Sequence, residues 1–88
     1  AMEYLAHAEP VEADVLERLV PAHVLDGLEA RSLIIVEPGM LVRCAHPLYG
    51  EITRARTGRL RERRVFRRLA EAGAADQLRL VDWRLRGG

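Results

Sequence analysis

The chain has 88 residues, of which 49% are hydrophobic and 31% are charged, a balance typical of one small folded domain or a domain-sized piece of a larger protein. All 14 basic residues are arginine, which excludes a P-loop and Schiff-base chemistry, because both need a lysine. The single cysteine, Cys44, permits no internal disulfide. Together with the three scattered histidines, His7, His23 and His46, it does not form the ligand spacing of a metal site.

The formal net charge of +1 conceals a separation of charge along the chain. Residues 1–44 carry eight acids and three arginines, a net −5, whereas residues 45–88 carry eleven arginines and five acids, a net +6. Residues 54–68 alone hold eight arginines and one acid. No apolar run approaches the ~20 residues of a membrane helix, and an unpaired cysteine suits a reducing compartment. We therefore expect a cytoplasmic protein with no membrane contact.

The first 31 residues predict three helices. A short helix is expected over Met2–Ala8, with Pro10 closing it. From residue 12 to residue 20 the apolar side chains follow the spacing of one helical face, and they are Val15, Leu16, Leu19 and Val20. Pro21 suits the first position of the next helix, whose inward stripe is Val24, Leu25 and Leu28. The second and third helices thus join with almost no loop.

A β-hairpin is predicted after Ser32. Leu33–Val36 is rich in β-branched residues, and Leu41–Cys44 is again strand-like. Pro38 and Gly39 stand at the second and third positions of the turn between them, where a fixed φ and left-handed freedom are favoured.

Three more helices are predicted after the hairpin. Pro47 suits a helix start, which places His46 near its amino-terminal cap, and the face of this helix is Leu48, Ile52 and Ala55. Thr57-Gly58 interrupts this helix, and the next runs from about Arg59 to Ala72. One side of it is apolar, with Val65, Phe66, Leu69 and Ala72. The opposite side is basic, with Arg63, Arg64, Arg67 and Arg68. Gly73 ends it, and a last helix covers about Ala75 to Leu85, with Leu78, Val81, Trp83 and Leu85.

This order of elements is that of a winged helix-turn-helix unit. We predict a mainly α fold with a β-hairpin, in which a winged helix-turn-helix is followed by additional C-terminal helices. Residues 1–57 form the winged helix-turn-helix core, with the wing hairpin at about 33–45. Residues 58–88 form the Arg-rich helix and the start of a C-terminal helical region.

The run His46-Pro47-Leu48-Tyr49-Gly50-Glu51 lies between the strand-like Val42–Ala45 and the arginine-rich segment 60–72. In this order the segments resemble the region after the ATPase domain in large ATP-binding LuxR-type transcriptional regulators, which are signal-transduction ATPases with numerous domains. Further points of likeness are Ala8–Val11, Val15–Leu19, Leu25–Leu33 and Trp83–Leu85. The resemblance implies a P-loop ATPase before this winged-helix region, and a helical sensor array and a DNA-binding helix-turn-helix after it.

A helix-turn-helix suggests DNA binding, but the charge of this one argues against it. The second helix of the motif, residues 21–31, should offer cationic or amide side chains to the major groove. It offers Asp26 and Glu29 against Arg31, and the wing tip Glu37–Met40 has no cation. We expect this fragment to make no specific DNA contact, or only a nonspecific one.

The arginine stripe admits three interpretations. A solvated face is the default for Arg63, Arg64, Arg67 and Arg68. The same stripe could instead contact phosphates or an acidic surface of a neighbouring domain or protomer. Among these contacts, we favour an acidic protein surface over nucleic acid.

His46 has a structural and a functional interpretation. A histidine beside a helix start is most often a capping or packing residue. The resemblance to the ATP-binding regulators implies instead a contact with the phosphates of ADP bound in the neighbouring ATPase, which helps to hold the resting state. An imidazole N–H can donate a hydrogen bond to a phosphate oxygen, so His46 is the candidate cofactor-binding residue.

We find no catalytic arrangement and predict that the chain is not an enzyme. Its own cofactor complement is none, with ATP or ADP implied only in a neighbouring domain of the parent protein. The predicted function is that of a non-catalytic winged-helix module of a bacterial ATP-dependent regulator, with the ATPase and helical sensor domains as partners and homo-oligomerisation left open. The alternative is a stand-alone DNA-binding winged-helix transcription factor, and a plain oligomerisation module is a third possibility.

Overall fold

A computed structural model of the chain describes residues 2–73 and 76–88. Over these ranges the protein is mainly helical with a small antiparallel sheet, as predicted. The elements are α1 (Met2–Ala8), β1 (Val11–Glu12), α2 (Ala13–Leu19), α3 (Ala22–Ala30), β2 (Ile34–Glu37), β3 (Leu41–Cys44), α4 (Pro47–Arg56), α5 (Arg59–Ala72) and α6 (Gln77–Gly87).

The junction of α2 and α3 is as short as the sequence predicts. Val20 and Pro21 are the only residues between the two helices, and both have extended backbone angles. Pro21 is the N-cap of α3 and not its first helical residue, because its ψ of 142° is extended. The carbonyl of Pro21 nevertheless accepts the first hydrogen bonds of the helix, from the N–H groups of Val24 and Leu25.

The hairpin predicted around Pro38-Gly39 is present and forms most of the sheet. Ile34 pairs with Cys44 and Glu37 with Leu41, and the N–H of Met40 donates to the carbonyl of Glu37 across the turn. Gly39 has a φ of +85°, a left-handed conformation that favours glycine.

β1 was not predicted from the sequence. It has two residues, too few for an alternating pattern, and it pairs with β3 so that the strand order is β1-β3-β2. The strand ties the segment after α1 to the hairpin, because Val11 lies opposite Val42 and is fully buried.

The two helices α4 and α5 begin and end close to their predicted positions. His46 is the N-cap of α4 with Pro47 at its first turn, and Gly73 ends α5 with a φ of +88°. The predicted start of the last helix at Ala75 lies outside the described residues. Asp76 caps α6, because its side chain accepts hydrogen bonds from the N–H groups of Leu78 (2.9 Å) and Arg79 (3.4 Å).

One hydrophobic core joins both halves of the chain. Leu5 of α1 and Leu16 of α2 are fully buried in the same cluster as Leu69 of α5 and Trp83 of α6. The predicted apolar face of α5 accordingly points inward. This packing turns the other faces of α4, α5 and α6 toward solvent, where the candidate interaction residues lie.

Candidate functional site

The four predicted arginines of α5 separate into two pairs. Arg63 and Arg67 reach the end of α6, where both donate to the carbonyl of Gly87 at 3.4 Å, and Arg63 also donates to the carbonyl of Gly88 at 3.2 Å. The last carbonyls of a helix have no partner within it, and cations near them are favourable. Arg63 and Arg67 are therefore engaged in holding α6.

The other pair, Arg64 and Arg68, borders a cleft of about 400 Å³ together with Arg61. The opposite wall is the α2–α3 junction, residues 19–21, and Glu3 and Tyr4 of α1 complete the lining with Val65. We call Arg61, Arg64 and Arg68 the arginine triad. Arg61 was missed in the sequence, although its spacing of three residues to Arg64 and seven to Arg68 is that of one helical face.

The members of the arginine triad differ in how they are engaged. Arg61 donates two hydrogen bonds of 2.7 Å to the carboxylate of Glu3, and this contact lowers the pKa of Glu3. Arg68 lies beside Tyr4, and this contact raises the pKa of the Arg68 guanidinium. Arg64 is exposed and has no ion pair or hydrogen bond from its guanidinium within the described residues. With one carboxylate among three guanidiniums, the cleft has a net positive charge suited to an anionic group.

His46 does not line this cleft. It is exposed at the start of α4, where its Nδ1 accepts a hydrogen bond from the N–H of Leu48 at 3.1 Å. An imidazole that accepts at Nδ1 carries its proton on Nε2, so the outward-facing nitrogen is a donor. The ring also contacts Tyr49, with centroids 5.8 Å apart. His46 thus caps α4 through Nδ1, and its Nε2–H is a donor suited to a phosphate oxygen.

A second surface lies between α3 and the hairpin. It is a groove of about 350 Å³ with an apolar floor and three carboxylates at its border, Glu17, Asp26 and Glu29. Its apolar lining is Ala13, Leu16, Leu25, Ile34, Val36, Met40 and Val42. α3 has no fully buried residue, and its charged residues are Asp26 and Glu29. We call this surface the acidic groove.

The apolar face predicted on α4 is present, but packing within the described residues leaves it uncovered, and of the four apolar residues noted on α6 only Trp83 is buried. On α4, Leu48 and Ile52 are 50% and 43% exposed. On α6, Leu78 and Leu85 are 83% and 77% exposed, and Val81 lies between them at 49%. α4 instead packs on α1 through Gly50, which is buried.

Cys44 lies in the core. Burial raises the pKa of its thiol to about 11, helped by the nearby carboxylate of Glu9. Glu9 also accepts a hydrogen bond from the N–H of Cys44 at 2.8 Å. A thiol held protonated in this way is a poor nucleophile.

Residues 2–73 and 76–88 contain no group of three side chains placed to hold a metal ion. None of the helices in these ranges is both long and apolar enough to cross a bilayer. Comparisons with protein-family models, curated proteins and solved structures give no match for this chain.

Proposed function

We propose that the chain is a non-catalytic winged-helix module of a multidomain, ATP-dependent LuxR-type transcriptional regulator. In this proposal α2 and α3 are the helix-turn-helix, and β2 and β3 are the wing. The order α1-β1-α2-α3-β2-β3 and the strand order β1-β3-β2 support it, because a winged helix packs such a sheet against three helices. The module binds other protein surfaces and couples the nucleotide state of a preceding ATPase to the following domains.

The acidic groove is the observation that carries the protein-binding part of the proposal. In this proposal α3, which a DNA-reading winged helix would place in the major groove, borders the acidic groove on one side. The border of the groove presents Glu17, Asp26 and Glu29. The one arginine on the wing strands, Arg43, is paired with Glu37 at 3.3 Å. Such a surface repels phosphates and favours a protein partner.

The arginine triad and His46 supply contacts for the neighbouring ATPase. The resemblance to the ATP-binding regulators points to His46 as the residue near the phosphates of ADP, and its Nε2–H fits that role as a donor. The arginine triad offers a separate positive surface for an acidic face of the same neighbour. Interdomain contacts of this kind typically supply roughly 1–3 kcal/mol of coupling free energy between two sites.

His46→Asp in the full-length regulator tests the proposed phosphate contact. Aspartate is a good N-cap, so it replaces Nδ1 as the acceptor for the Leu48 N–H, but its carboxylate repels a phosphate. We expect ADP to dissociate about 10-fold or more faster and basal activity to rise, while the thermal midpoint of the 88-residue fragment is unchanged.

His23→Asp is the matched control, because His23 is an exposed histidine on α3. Equal ADP retention and equal basal activity in wild type and His46→Asp would remove the phosphate role and leave His46 as a cap.

A stand-alone DNA-binding winged-helix transcription factor is the second candidate. The arginine triad favours it, since these side chains lie beside Pro21, where the chain enters α3. The charged residues of α3 itself are Asp26 and Glu29, so the positive surface does not continue along that helix. This geometry suits nonspecific contact with a DNA backbone better than sequence reading.

A further inference from the structure

The acidic groove combines partly exposed apolar side chains with an acidic border, a composition suited to an amphipathic helix. Its accessible apolar surface comes from Leu25 and Val36, which are partly exposed, and from Met40 at the turn, which is 60% exposed. Beneath them lie the buried core residues Ala13, Leu16, Ile34 and Val42. Within the described residues the three border carboxylates have neither an ion pair nor a side-chain hydrogen bond. Helix-in-groove recognition uses apolar anchors at positions i, i+3, i+4 or i+7, and the charges at the border select basic flanking residues.

α6 has the complementary features. Its exposed apolar residues Leu78, Val81 and Leu85 follow the i, i+3, i+7 spacing, so they form one stripe on the solvent side of the helix. Arg84 is exposed and adjoins this stripe next to Val81. Over its length the helix carries three arginines and one aspartate, a net +2. The aspartate, Asp82, is paired with Arg86 at 3.0 Å.

We infer that α6 of a second copy of this chain binds in the acidic groove. Leu78, Val81 and Leu85 of one copy cover Leu25, Val36 and Met40 in the other. Arg84 of the first copy lies near Glu17, Asp26 or Glu29 of the second. The contact joins two different surfaces, so it is heterologous, and repetition of it produces a ring or an open chain of copies. This arrangement rests on the proposed function, which assigns the acidic groove to a protein partner, and that partner is a second copy of the chain.

Complementation between two variants tests this arrangement. The groove variant, Asp26→Arg with Glu29→Arg, loses the acidic border and keeps α6 intact. The helix variant, Leu78→Ser with Leu85→Ser, loses the apolar stripe and keeps the groove. All four positions are exposed, so both variants should retain the wild-type circular dichroism and thermal midpoint to within a few degrees.

Sedimentation velocity of wild type, each variant and their equimolar mixture, up to about 1 mM protein, gives the readout. We expect wild type to associate as its concentration rises, each variant alone to remain monomeric, and the mixture to form a 1:1 dimer that grows no further. Raising the salt from 50 to 500 mM should weaken the association of wild type.

A wild type that is monomeric up to 1 mM would overturn the inference. So would variants that associate as strongly as wild type, or a mixture that stays monomeric while wild type associates. These sedimentation results do not depend on the outcome of the His46→Asp experiment in the full-length regulator. A failed complementation with altered ADP retention therefore rejects self-association alone, and a successful complementation with unaltered ADP retention rejects the nucleotide coupling alone.

Discussion

Two glycines inside helices occupy opposite environments, and they should respond in opposite ways to the same substitution. A Cβ added to Gly87 in α6 would lie 2.6 Å from the backbone nitrogen of Arg67, whereas one added to Gly27 in α3 would meet nothing within 4 Å. Gly87→Ala must push α6 away from α5 and should lower the free energy of unfolding by about 1–3 kcal/mol. Gly27→Ala should raise it by up to about 1 kcal/mol, since alanine favours helix.

Urea denaturation of both glycine variants against wild type checks this pair. Equal stability of Gly87→Ala and wild type would show that the end of α6 does not pack on α5 as described.

His7 should make stability depend on pH. Its Nε2 is buried without a hydrogen-bond partner in the described residues, and its ring lies 5.7 Å from Phe66. Desolvation lowers the pKa of His7 below the usual 6.5, although Glu62 of α5 and Glu3 of α1 favour the charged form and Arg54 of α4 opposes it. The unfolded chain therefore binds the proton more readily than the folded one.

The free energy of unfolding should accordingly decrease as the pH falls below about 6.5, and level off once the folded protein is also protonated. Urea denaturation between pH 8 and pH 5.5 measures the slope, and His7→Gln should flatten it. His23→Gln, at an exposed position on α3, should keep the wild-type slope. A slope that is unchanged in His7→Gln would assign the pH dependence to another group.

Several arginines donate hydrogen bonds to the carbonyls at the carboxyl ends of helices, in addition to giving the surface its positive charge. Arg54 donates to the carbonyl of Ala6 in α1, and Arg18 donates to the carbonyl of Ala72 in α5, both at 2.6 Å. Arg63 and Arg67 do the same for α6. A guanidinium has several donors in a fixed fork, which suits the cluster of unpaired carbonyls at a helix end.

Local signals in the sequence predicted most of these elements. Pro47, Gly39 and Gly73 mark a helix start, a turn and a helix end by backbone chemistry alone, and the structure has each of them at that place. β1 was not predicted, because a strand of two residues is too short to show an alternating pattern.

The candidate site was less predictable, because its properties depend on packing between elements. The sequence shows four large apolar residues on α6, but only the packing of α6 on α5 decides that Trp83 is buried while Leu78 and Leu85 stay exposed. The stripe of four arginines was likewise visible, but its division depends on where the end of α6 lies. Only that position separates Arg63 and Arg67 from the triad.

At the scale of the whole molecule, the separation of charge along the sequence becomes a separation in space. The acidic groove lies between α2, α3 and the hairpin, and the arginine triad lies on α5, beside α1 and the α2–α3 junction. A duplex can approach the triad but is repelled by the groove, so contact is limited to a few phosphates. Arg61 is already paired with Glu3, which leaves Arg64 and Arg68 for phosphates, and two phosphate contacts give a slope of log affinity against log salt of about −1.8.

Nonspecific affinity for duplex DNA should therefore fall about 12-fold between 50 and 200 mM salt. Arg64→Gln with Arg68→Gln should reduce the slope by about two, because two phosphate contacts are lost, while Arg84→Gln on α6 should leave it near the wild-type value. Fluorescence anisotropy with two unrelated duplexes of equal length measures both effects. Binding that survives 200 mM salt and selects one duplex requires base contacts from α3. That outcome would replace the protein-binding module with the DNA-binding alternative, because Asp26 and Glu29 would then have to face bases rather than a partner helix.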